Sequence, residues 1–130
     1  MAVRLILDSS ALVAYAELTS VAPGELILQV DESGDTVGIS APAFVEAFEH
    51  CKPDAQARLA ELVSEDDSPM TVLAMTGQGL DVIAKNVAAG LALGTVHSAF
   101  EAFEIHQCCV LTAARAQLER LMDPDQILDV

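Results

Sequence analysis

The sequence has no tryptophan, one tyrosine, four phenylalanines and six basic residues. Aromatic residues at 4% of the chain suit a helix-rich α/β core of small and branched side chains rather than an aromatic binding surface. No apolar run approaches the roughly 20 residues that a membrane span needs, so no membrane partner is expected. The first residues lack the basic region and small-residue cleavage site of a signal peptide, because Asp8 interrupts the apolar stretch. A cytoplasmic protein is expected. The three cysteines, Cys51, Cys108 and Cys109, are odd in number and form no C-x-x-C pair. That argues against a disulfide framework or structural zinc and predicts buried free thiols. His50 beside Cys51, and His106 two residues before Cys108, match no zinc spacing. Glycine-rich phosphate loops, nucleophile elbows and Ser-His-Asp arrangements are also missing.

Positive charge is scarce. Twenty acidic residues against six basic ones give a formal charge of −14, with the basic residues scattered at Arg4, Lys52, Arg58, Lys85, Arg115 and Arg120. Nucleic-acid affinity comes largely from Lys and Arg neutralising phosphates, so most of this surface should repel RNA or DNA. A basic partner or a divalent cation is its natural counterpart, and the plain alternative is a surface that only confers solubility. What the chain does have is apolar bulk: 52% of 130 residues are hydrophobic, rich in Ala, Leu and Val. One domain over residues 1–130 is expected, long enough to bury a core without disulfides. The composition leaves more hydrophobic surface than a monomer easily hides, which points to self-association.

The chain is organised around residues 3–15. Leu5, Ile6 and Leu7 in succession fit a strand buried on both faces, as in a parallel sheet covered by helices. Asp8 then stands at the carboxyl end of that strand, the edge where open α/β sheets bind ligands and metals. Ser9 or Ser10 can cap the following helix, or Asp8 can cap it itself and do no chemistry.

In order, the pattern predicts a strand at 3–7, a helix at 9–17, and a helix from Pro23 to about Asp31 with Leu26, Ile27 and Val30 on one face. A strand at 36–40 follows, then a helix from Pro42 with an apolar stripe of Phe44, Val45, Phe48 and Cys51. A further helix starts at Pro53 with Leu59, Leu62 and Val63 on one face, and an acidic loop runs from Ser64 to Pro69. A third strand is predicted at 70–75. From Thr76 a long helix carries Leu80, Ile83, Val87 and Leu91 on one face, ending about Gly90 and Gly94. The next helix, Thr95 to His106, turns Ala99, Phe100 and Phe103 inward. A strand at 108–112, a helical turn at 115–121 and an edge strand at 127–130 complete the chain. Alternating strands and helices predict an α/β fold, a parallel sheet of about four to five strands in a three-layer α/β/α sandwich.

Two stretches carry a likeness. The first strand is closed by Asp8-Ser9-Ser10-Ala11-Leu12, and Ile39-Ser40-Ala41-Pro42-Ala43-Phe44-Val45-Glu46 opens the third helix. With the later strand ending Val110-Leu111-Thr112, this resembles a PIN domain of the VapC-like class, the toxin ribonucleases of toxin–antitoxin pairs. The resemblance covers the whole chain and is specific at the first two motifs. It implies a carboxylate cluster holding Mg²⁺ or Mn²⁺ ions that activate water for phosphodiester hydrolysis, which suits hard cations and oxygen ligands. Asp8 matches the first carboxylate and metal ligand and Glu46 the second; Ser10 stands in the place of the hydroxyl that steadies the first, and Thr112 anchors the last motif. The third carboxylate falls near Thr95-Val96-His97 and the fourth at Ala114, where no acid stands. His97 is the candidate replacement, with Glu101 one turn further on.

The resulting expectation is a PIN-like domain with lost or strongly reduced nuclease activity, acting as a binding or regulatory module with at most weak Mg²⁺ or Mn²⁺ binding. The alternative is an active metal-dependent endoribonuclease toxin, with RNA as substrate, in which Asp8 and Glu46 are catalytic and His97 is an atypical third group. His97 also reads plainly as a polar residue at a helix rim. The family further implies a homodimer, with the 44–63 stripe as a candidate surface, and a basic antitoxin or other protein partner. A flavodoxin-like or response-regulator-like fold would need an acidic pair after the first strand, and none is present.

Overall fold

The structure, a computed structural model, describes residues 2–64 and 68–130. Strand β1 (Val3–Leu7) leads into α1 (Ser9–Ala16) and α2 (Ala22–Glu32); β2 (Thr36–Ser40) into α3 (Ala41–His50) and α4 (Pro53–Ser64). Strand β3 (Met70–Leu73) is followed by α5 (Leu80–Ala88) and α6 (Leu93–Phe100), which continues as a π-helical segment, Glu101–His106. Strand β4 (Cys109–Thr112), the short α7 (Arg115–Leu118), a 3₁₀ turn (Pro124–Gln126) and β5 (Ile127–Asp129) end the chain. All pairings are parallel, in the order β3-β2-β1-β4-β5. This is the expected three-layer α/β/α sandwich, with five strands among the described residues.

The two faces of the sheet bury different sets. Leu5, Leu7, Val37, Ile39 and Leu111 pack against Ala11, Leu12, Ile27, Ala43, Ala47 and Leu59 of α1 to α4. Ile6, Leu73, Val110 and Ile127 pack on the other face against Ala99, Ala102 and Leu118. Strands covered on both sides must be apolar throughout, which is why β1 and β4 read as continuous hydrophobic runs. From β1 the sheet grows through β2 and β3 in one direction and through β4 and β5 in the other. The reversal lies between β1 and β4, and crevices at such reversals are where open α/β sheets bind ligands.

Several expectations about faces fail for physical reasons. The inward residues of α3 are Ala43 and Ala47, while Val45 is 56% and Phe48 36% exposed. Small side chains let α3 lie close to its neighbours, so Val45 and Phe48 turn outward, while Phe44 packs half-buried against the core and Cys51 is buried as expected. Gly79, at φ +71°, delays α5 to Leu80, which is itself largely exposed. In the last part of the long α6 unit the i→i+5 turns shift the phase, so Ala102 is fully buried and Phe103 is exposed. The acidic loop expected from Ser64 to Pro69 falls partly outside the described residues; Ser64 itself ends α4. The cysteines are free, Cys51 and Cys108 buried and Cys109 half-buried. Among the described residues no helix is long and apolar enough to cross a membrane.

Candidate functional site

The register of the sheet assembles the site. Leu7 pairs with Ile39 and with Leu111, so the next residues, Asp8, Ser40 and Thr112, reach the carboxyl edge together. Asp8 is extended (φ −80°, ψ −179°) and is the N-cap of α1, its side chain accepting from the Ala11 N–H; the helix begins at Ser9, so neither Ser9 nor Ser10 is the cap.

Asp8 is 1% exposed and fully engaged. Its Oδ1 accepts from Ser10 Oγ at 2.7 Å and from the Ala11 N–H at 2.9 Å, and its Oδ2 accepts from Thr112 Oγ1 at 2.6 Å. Both hydroxyls therefore spend their protons on the carboxylate. Their own oxygens accept the backbone N–H of Ala113 and Ala114, each at 2.8 Å. The 3.2 Å approach of Ser10 Oγ to Thr112 Oγ1 closes the cluster. Burial pushes the Asp8 carboxyl above the usual carboxylate range, opposed by the bonds from Thr112, Ser10 and the Ala11 amide.

Glu46, half-buried on α3, turns Oε1 to Ser9 Oγ at 2.9 Å and to the Gly94 N–H at 3.0 Å. Gly94 lies in the first turn of α6, whose own N-cap, Ala92, supplies no side-chain bond. Glu46 thus does for α6 from a neighbouring helix what a polar N-cap would do: it takes an orphan N–H and sets negative charge at the positive end of the helix. The approach is close. A Cβ at position 94 would lie 2.6 Å from Ala43 Cα and 2.7 Å from Ser9 Oγ, and closer still to Glu46 Oε1.

Beside this contact opens a cavity of ≈ 460 Å³, lined by Ser9, Ser10, Glu46, Glu49, His50, Thr95, Ala114 and Gln117 among others. Its lining includes two carboxylates and no Lys or Arg. Asp8 and Thr112 lie behind it and do not line it. Thr95, in the stretch near which the resemblance implies a third acid, and Ala114, at the place it implies for a fourth, line this cavity.

His97 is elsewhere. It is 2% exposed, not a rim residue, and lines a separate cavity of ≈ 230 Å³ with Thr76, Gln78, Phe100, Glu101 and His106. Nδ1 lies 2.7 Å from Ser40 Oγ, and Nε2 lies 3.3 Å from Glu101 Oε1. A serine, histidine and glutamate in line resemble a hydrolase relay. Ser40, however, is 0% exposed and caps α3 through the Ala43 N–H, so no substrate reaches its hydroxyl.

The structure thus brings Asp8, Ser10 and Thr112 into one bonded cluster and joins Glu46 to its edge through Ser9, but sends His97 to another cavity. Glu49 and Gln117, which the sequence did not mark, and His50, which it raised only as a zinc ligand beside Cys51, line the cavity with Glu46; the spacing of three and four residues from Glu46 to Glu49 and His50 on one helix was the available signal.

Mg²⁺ wants near-octahedral oxygen ligation, usually through one or two carboxylates with water and substrate phosphates. Here one carboxylate has both oxygens occupied and is shut from solvent, and the other has one oxygen committed to a helix N-terminus. Among the described residues no group of three or more His, Cys, Asp or Glu could hold a metal ion. Set against known proteins, the chain matches no protein-family model, no curated protein and no solved structure.

Proposed function

We propose that this chain is a PIN-like domain, related to the VapC-type Mg²⁺-dependent ribonucleases, that acts as a binding or regulatory module and has lost its nuclease chemistry. One observation carries the reading: both carboxylates that would hold the cation are in use as helix caps, Asp8 for α1 and Glu46 for α6. The order and direction of the strands, with Asp8 and Thr112 side by side at the sheet's reversal, support the kinship. The cavity wall supports the loss, since Thr95 and Ala114 supply no charge to complete a cation site.

A cavity with Glu46 and Glu49 on its wall, in a chain of charge −14, favours a basic protein segment over a polyanion. A basic antitoxin-like partner and a second copy of the chain are the partners this reading names.

The test is incubation of the purified protein with a mixed RNA pool and Mg²⁺ or Mn²⁺. The expected result is no cleavage above a metal-free control. Ion-dependent cleavage that disappears in Asp8→Asn would replace this reading with that of an active endoribonuclease. As a converse, Thr95→Asp combined with Ala114→Asp should create Mg²⁺-dependent stabilisation that the parent chain lacks.

A further inference from the structure

Away from the acidic cavity, four side chains form a continuous polar chain. Ser40 Oγ lies 2.7 Å from His97 Nδ1, His97 Nε2 3.3 Å from Glu101 Oε1, and Glu101 Oε2 3.6 Å from His106 Nε2. The chain starts at the N-cap of α3, crosses the middle of α6 and ends in the π-helical segment, where His106 is 25% exposed. π turns within helices often sit at working positions. The same two helices meet one turn earlier, where Glu46 of α3 holds the Gly94 N–H of α6.

Proton bookkeeping fixes how this joint works. With Glu101 as acceptor, Nε2 of a neutral His97 carries the hydrogen, so Nδ1 must accept and the Ser40 hydroxyl must donate to it. Ser40 Oγ keeps its lone pairs for the Ala43 N–H. Adding a proton to Nδ1 reverses that bond. Ser40 would then accept from both Ala43 and His97, and its own hydrogen would be left without a partner at 0% exposure, a cost of the kind that buried polar groups avoid.

We propose that His97 is a pH-operated latch between α3 and α6: the neutral ring ties the cap of α3 to the π-helical end of α6, and its protonation opens the joint and releases Glu46 from Gly94. Burial lowers the basicity of His97 and Glu101 opposes that, so the neutral form prevails in the closed state. Glu101 and His106 from the π-helical segment face it, and Cys108, which follows that segment, is kept neutral by burial that pushes its thiol up to about 12; Glu46, Glu49 and His50 of α3 line the acidic cavity instead. Ser40 from β2 and Thr76 and Gln78 before α5 are uncharged; Asp81 and Lys85 of α5 are solvent-facing, and Arg115 of α7 is engaged with Asp129. The latch stands independently of what the acidic cavity binds.

The experiment is ¹⁵N NMR of the imidazoles together with native-state amide exchange of the whole chain between pH 7.5 and 5. At neutral pH His97 should be the neutral Nε2–H tautomer. An open state that recovers the ordinary pKa of 6.5 takes up one proton that the closed state lacks. Below that pH the protection of the Ala43 and Gly94 amides should therefore fall about tenfold per pH unit, while that of Leu111 in the core stays level. His97→Asn offers Ser40 an acceptor that does not titrate and should flatten the response. An Nδ1–H tautomer at neutral pH overturns the proposal, as does protection at Ala43 and Gly94 that is level in the parent or falls equally at Leu111. An unchanged response in His97→Asn does the same.

Discussion

Replacing Asp8 separates a capping role from a cation-binding one, because Asn keeps the shape and removes the charge. In Asp8→Asn, Oδ1 retains the Ser10 hydroxyl and the Ala11 N–H, and Nδ2 takes the place of Oδ2. Thr112 Oγ1 can then accept from Nδ2 and turn its hydrogen to Ser10 Oγ, 3.2 Å away. One Nδ2 hydrogen is paired and the second is left without a partner, but Asn caps helices as well as Asp and the buried charge is gone, so the net cost should be about 1 kcal/mol. Asp8→Ala removes the acceptor for two hydroxyls and one N–H. Ser10 and Thr112 can recover one bond between themselves, which leaves two buried donors at about 1–3 kcal/mol each, and relief from burying a charge offsets part of that. A loss of about 3 kcal/mol is expected, read as the shift in urea midpoint at constant m. The pH dependence has a definite sign. The folded-state pKa of Asp8 is raised above 3.8, so its contribution to stability is fully present below 3.8 and is lost as pH rises through the folded value. The parent should therefore gain on Asp8→Asn as pH is lowered from 7 towards 4. Equal losses for the Asn and Ala variants at pH 7 would refute the reasoning, because they would mean that the charge itself holds something.

Three other substitutions probe the same corner. Gly94→Ala should cost about 2–3 kcal/mol in the same unfolding assay, since the added methyl meets the Ala43 backbone and cannot be accommodated by a rotamer change. Glu46→Gln should cost only about 0.5 kcal/mol, because a carbonyl oxygen can still accept from Ser9 and Gly94 and only the charge at the helix N-terminus is lost, whereas Glu46→Ala should cost about 1–2 kcal/mol and raise amide exchange in the first turn of α6. Ser10→Ala leaves the Ala113 N–H without its acceptor and removes one bond to Asp8, so a loss of about 1–2 kcal/mol is expected from thermal unfolding.

The strands were legible because burial on both faces leaves a mark that local chemistry cannot hide: Leu5-Ile6-Leu7 and Val110-Leu111 are apolar without alternation. Asp8 was legible as the residue that ends the first of these runs, and Thr112 as the residue that ends the second. The inward face of α3 was not. Bulk suggested Phe44, Val45 and Phe48, but the spacing between α3 and its neighbours selected Ala43 and Ala47, and that spacing is a tertiary quantity. The link from Glu46 to Gly94 was equally hidden, since it joins residues 48 apart in sequence. His97 was noticed for its place near a motif, yet helical phase points it the other way from Thr95, which lines the acidic cavity two residues earlier. The π-helical turn after Phe100 leaves no periodic signature, so one continuous helix was the natural expectation.

The central claim, that the acidic edge has become part of the scaffold, is tested most directly by thermal unfolding with and without 10 mM Mg²⁺ or Mn²⁺. A site with a dissociation constant a hundredfold below the free ion concentration would stabilise the fold by about 2.7 kcal/mol. The account predicts no stabilisation beyond that of a monovalent salt at matched ionic strength, in the parent and in Asp8→Asn alike. A clear rise in the parent that is absent from Asp8→Asn would contradict it.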